Sequence, residues 1–126
     1  MPFDVYDFTD LDRQSVIAKW SQELTPRSRG QLDSKLHMLA TNGMDLPSKL
    51  LAGPIKKTGH IYKLIIHADV MLRPMLCRGP FEMEAEFTLL VGAKEIQGRL
   101  IPDPEVAVHY RNLLLKDAGR RIPHEW

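Results

Sequence analysis

Cysteine is nearly missing from this chain: Cys77 is the only one in 126 residues. No internal disulfide can staple the fold, and no Cys or His pair stands at zinc-ligand spacing. The five histidines, His37, His60, His67, His109 and His124, are scattered, so neither a metal nor any other cofactor is expected. Long apolar runs are missing as well. The longest span about four to six residues, far short of the roughly 20 that cross a bilayer. The acidic start MPFDVYDFTDLD also lacks the basic-then-apolar order of a secretory leader. A cytoplasmic protein without a membrane partner is the expectation. A large charge imbalance is absent too: 17 Lys+Arg against 16 Asp+Glu leave a formal net charge of +1, so any nucleic-acid binding must come from local clustering. There is no Gly-x-Ser-x-Gly and no glycine-rich phosphate loop, which removes the usual serine hydrolase and nucleotide-binding readings.

What is present suffices for one domain over residues 1–126. The 44% hydrophobic content can bury a core at this length, and no repeat or long linker divides it. PFDVYDF reads as a strand. Thr9 and Asp12 have capping-box spacing before Val16, Ile17, Trp20 and Leu24, one face of a first helix. Thr25-Pro26 then opens a second helix that carries Leu32, Leu36 and Leu39 to Asn42-Gly43. A loop rich in Pro and Gly leads to three strands in HIYKLIIH, VMLRPMLC and EMEAEFTLLV. Pro74 cannot donate a ladder hydrogen bond, so it predicts an edge, a bulge or a break. In the last strand Glu82, Glu84, Glu86 and Thr88 alternate with apolar residues and are expected on a solvated face. Asp103-Pro104 begins a final helix, with Gly119 past its end. The predicted class is α+β: an N-terminal strand and helical hairpin, then a small antiparallel sheet with one open face, and a C-terminal helix.

The charges segregate along the chain. Residues 49–78 hold Lys49, Lys56, Lys57, Lys63, Arg73 and Arg78 against Asp69 alone, whereas the first twelve residues hold Asp4, Asp7, Asp10 and Asp12. Strand alternation directs Lys63 and His67 to the open side, and Lys94 and Arg99 follow the end of the clearest strand. A basic, partly apolar hollow of that kind suits an RNA backbone and splayed bases. The plainer alternative has Lys63 and Arg73 pairing with Glu84 or Glu86 across strands, worth about 0.2–1 kcal/mol per pair.

KKTGHIYKLIIHADVMLRPMLCRG and FTLLVGAKEIQGRLIPDPEVAVHYRNLL together resemble the phage-derived, HigB-like branch of the RelE/ParE toxin superfamily. There a Gly-x-[IVL]-[WY]-Glu-Leu-Arg strand is followed by a Tyr-Arg strand, an apolar strand with a lysine pair, and a Pro-preceded helix beginning Glu-[IV]-x-x-Ala. Gly59 to Ile65, Leu72-Arg73, LLVGAKE and PDPEVA stand at those places. The resemblance covers the C-terminal half, and the N-terminal hairpin by order of elements. It implies a RelE-like fold and a type II toxin: a metal-independent endoribonuclease that cleaves mRNA on the ribosome and is held inactive by a cognate antitoxin. Arg73 and Lys94 match the motif and are expected to stabilise the phosphorane, with His67, whose ordinary pKa is near 6.5, moving a proton. Lys63, Arg99, Lys56 and Lys57 complete the RNA-binding set by the surface argument. The chain departs from the pattern at Ile65, at Glu95 in place of the second lysine, and at Lys63 in place of glutamate. Two further functions are compatible with the same scaffold: a non-catalytic, phage-encoded protein-binding module presenting Met71, Leu72 and Met75, and a gyrase-inhibiting, ParE-like toxin. Oligomeric state is left open.

Overall fold

The computed structural model describes residues 2–126. In chain order it contains β1 (Asp4–Phe8), α1 (Val16–Gln22), α2 (Pro26–Asn42), a 3-10 turn (Gly43–Asp45), β2 (Leu51–Ala52), β3 (Tyr62–Leu64) and β4 (Ile66–His67). It continues with β5 (Met71–Leu72), β6 (Met75–Arg78), β7 (Glu86–Val91), β8 (Lys94–Ile96), β9 (Arg99–Ile101), α3 (Pro104–Lys116) and β10 (Arg121–Pro123). No helix among the described residues is long and apolar enough to cross a membrane.

The helices start where side chains can satisfy their first N–H groups. Thr25 accepts from the Ser28 N–H with Pro26 inside the first turn of α2, and Asp103 accepts from the Glu105 N–H with Pro104 likewise inside α3. For α1 the cap is Ser15 rather than the expected Thr9 and Asp12 pair. Its Oγ accepts from the Ala18 N–H at 2.9 Å while donating to Asp7 at 2.7 Å, so one hydroxyl ends β1 and starts the helix. Thr9 instead forms an isolated bridge with Ser15.

Two sheets follow, ordered β10-β1-β7-β6-β3-β2 and β4-β5-β8-β9. All pairings are antiparallel except β1 with β7. Three chain segments run from one sheet into the other, and each crosses at a residue that breaks regular pairing. Ile65 separates β3 from β4, Pro74 separates β5 from β6, and Gly92-Ala93 separates β7 from β8. Pro74 thus makes the predicted break, accompanied by a register shift between Met75 and Leu76. Hydrogen bonds from Leu64 N–H to Pro74 O (3.0 Å) and Arg73 N–H to Ala93 O (2.7 Å) hold the bend.

The large sheet is covered on both faces, which corrects the expected open face. Val5, Leu64, Leu76, Phe87 and Leu89 pack with Ile17, Leu32, Leu36 and Leu39 of α1 and α2. Phe8, Ile61, Met75, Cys77 and Leu90 pack with Ala107 and Leu114 of α3. Strands apolar on both sides are what a sheet between two helical layers requires. All six residues of β7 are buried, Glu86 and Thr88 among them, because β10 brings Arg121 against them. The solvated acidic face expected of EMEAEFTLLV therefore ends at Ala85.

Candidate functional site: a cationic corner at the start of α3

The seven cationic and histidine candidates do not share one hollow. Four gather around the Asp103-Pro104 entry of α3. Lys56 and Lys57 line a cavity of about 590 Å³ together with Thr58, Glu105, His109 and Asn112. Lys63 and Arg99 line a second of about 410 Å³ with Glu95 and Leu100. Asp103 and Pro104 belong to both, so the two hollows meet there. Three separate pieces of chain deliver these cations: the loop before β3, β3 itself, and the β8–β9 hairpin. The region expected as an irregular loop after Lys94 is that hairpin, with Lys94 opposite Ile101 and Ile96 opposite Arg99. The positive φ at Gln97 and Gly98 makes its two-residue turn.

Arg73 and Lys94 do not form the expected pair. The register opposes Lys94 to Leu72, and opposed residues leave a sheet on the same side. Arg73, next along the chain, leaves on the other. It is also withdrawn from the surface: its Nη1 donates to Leu72 O at 2.8 Å and Ile66 O at 3.4 Å, while Nη2 lies 3.6 Å from Glu95 Oε2. With a side chain only 5% exposed, Arg73 as it stands does not touch a bound phosphate. Glu95, the residue at the place of the family's second lysine, is what neutralises it.

His67 lies exposed on β4 with Nδ1 3.3 Å from Met71 Sδ. It pairs with Met71, and the register sets Met71 against Glu95, so His67, Met71 and Glu95 form one row on the Arg73 side. The expected pairing of Lys63 and Arg73 with Glu84 or Glu86 does not occur: Glu84 pairs with Arg78, and Glu86 with Arg121. The protein-binding surface read into Met71, Leu72 and Met75 is not there either. Leu72 and Met75 are fully buried, and the exposed large apolar residues of this region are Ile96 and Ile101 on the hairpin.

Two groupings were not foreseen. His109 and Asn112 reach the first cavity because they follow Glu105 at helical spacing on the outer stripe of α3, a signal present in the sequence. Asp7, buried, accepts from Ser15 Oγ and bonds His124 Nδ1 at 2.8 Å. With the carboxylate in the middle, neither ring nor hydroxyl activates the other, so this set anchors β10 rather than forming a nucleophilic triad. Among the described residues no group of three or more His, Cys, Asp or Glu side chains is placed to hold a metal ion. Compared with known proteins, the chain matches no family model, no curated protein and no solved structure.

Proposed function

We propose that this chain is a RelE/HigB-like toxin that grips single-stranded mRNA at the cationic corner and cleaves it without a metal. The observation that carries the proposal is the gathering of Lys56, Lys57, Lys63 and Arg99 from three chain segments around one helix entry, in a protein whose overall charge is almost balanced. Cations concentrated in this way bind a phosphate backbone by counterion release. In the reaction, the ribose 2′-oxygen bonds to the adjacent phosphorus, a base takes its proton, and the bond to the 5′-oxygen breaks as an acid protonates that oxygen. Lys63 and Arg99 stabilise the charge on the phosphorane, and His67 moves a proton. Lys94, on the opposite side of the small sheet, drops out of this set. The partners follow from the same reading: the ribosome that presents the mRNA, and an antitoxin that silences the chain.

A second reading is favoured by the hairpin. Ile96 and Ile101 are more than half exposed and share their side of β8 and β9 with Lys94 and Arg99 by register, which suits a non-catalytic module docking a protein of acidic and apolar character. Expression without a partner separates the two. The toxin reading expects growth arrest, relieved by the double substitution Lys63→Ala, Arg99→Ala. A wild-type chain that leaves growth and mRNA intact rejects it in favour of the binding module.

A further inference from the structure

Arg73 is held on one side only. Its Nη1 is engaged by two carbonyl oxygens, but Nη2 faces only the Glu95 carboxylate, at 3.6 Å. That separation is longer than the roughly 2.7–2.9 Å of a charge-assisted hydrogen bond. The comparison within the molecule is instructive: Arg121 grips Glu86 with both terminal nitrogens, and both side chains are buried. The Arg73 pair is loose, and its two members differ in freedom. Arg73 is 5% exposed and Glu95 31%, so the carboxylate is the partner that can swing into solvent. The space it would leave is the cavity it already lines with Lys63 and Arg99. A buried guanidinium cannot be left without a counter-charge, so Glu95 moves away only when another anion takes its place.

We propose that the cavity of Lys63, Glu95 and Arg99 is a phosphate subsite, in which the Glu95 carboxylate occupies the position of an RNA phosphodiester. A bound phosphodiester displaces Glu95 and takes over the Nη2 edge of Arg73, bringing a third cation to the anion already met by Lys63 and Arg99. This deepens the RNA reading above and rests on it. It also gives Arg73 a role in RNA binding that the resting contacts hide.

The test uses the full chain and a fluorescently labelled single-stranded RNA oligonucleotide, with anisotropy read over a series of salt concentrations. Glu95→Gln keeps a carbonyl oxygen for Arg73 and removes the competing charge. Glu23→Gln, at the exposed end of α1, makes the same change in net charge elsewhere. Glu95→Gln is expected to tighten binding about tenfold at low salt and to steepen the slope of log K against log salt by about 0.7, one additional phosphate contact. Glu23→Gln is expected to stay within about twofold of wild type. Adding Arg73→Lys to Glu95→Gln, which shortens the reach while keeping the charge, returns affinity and slope toward wild type. If wild type binds RNA and Glu95→Gln behaves like Glu23→Gln, or if the gain survives Arg73→Lys, the subsite is wrong and the RNA reading stands. If neither wild type nor Glu95→Gln binds, both are wrong.

Discussion

An ideal Cβ at Gly92 would lie 1.9 Å from the Trp20 ring. The indole of α1 packs directly on the backbone where β7 bends toward β8, so the helical layer sets how sharply the sheet turns at the site. Gly92→Ala is expected to lose about 1–3 kcal/mol through overpacking, measured by urea unfolding, with much of the loss recovered when Trp20 is also shortened to Leu. The sequence marks Gly92 only as the end of an apolar run. Its cause lies in a residue far away in the chain, and a one-dimensional pattern cannot show that. Cys77 is similar. Its strand is legible, but its inertness comes from three-dimensional burial, which pushes the thiol pKa up from 9.0 to about 11 despite the nearby Arg111. A thiol whose folded pKa exceeds its unfolded one favours folding below the unfolded value and loses that contribution as pH rises from 9 toward 11. Across that window wild type is expected to lose on the order of 2 kcal/mol more stability than Cys77→Ala. Parallel slopes in the two denaturation series would refute the assignment.

Among the elements, those whose signals are local were readable. The capping of α2 by Thr25 and of α3 by Asp103, and the break at Pro74, all depend on neighbours within a few residues. Thr25→Ala is therefore expected to cost about 1 kcal/mol, read as a lower urea midpoint. β10 gave no such signal. RIP is too short for periodicity, and it is a strand because Arg121 reaches Glu86 and His124 reaches Asp7, partners 35 and 117 residues away in the chain. Burial alone would raise the Glu86 carboxyl, but the hydrogen bonds and charge of Arg121, with backbone N–H groups, hold it below its ordinary 4.5. A depressed carboxylate contributes stability above the unfolded pKa and loses it as pH falls through the folded one. Arg121→Gln leaves that carboxylate buried without its cation and is expected to cost about 3–5 kcal/mol at neutral pH. The gap to wild type should narrow as pH drops below 4.5. A gap that is constant with pH would show that the substitution acts through packing alone.

At the scale of the whole molecule, the α+β class was legible from the order of elements, whereas the two-sided core was not. Ile61, Met75 and Cys77 look like one face of ordinary alternation until α3 covers them. The same limit explains the site. Local composition singled out Lys56, Lys57, Lys63 and Arg99, and the fold brings them to one corner. Lys94 and Arg73 were separated by a register that only pairing reveals, and Glu95 was read as a lost cation when its nearer consequence is the shielding of Arg73. The central claim is that the corner acts on RNA as one unit. In a translating extract free of added antitoxin, wild type is expected to truncate the mRNA being read, and the Lys63→Ala, Arg99→Ala chain, folded to the same extent by circular dichroism, to leave it at least tenfold more intact. Full-length mRNA in the presence of the wild-type chain, or equal truncation by both, would contradict the account.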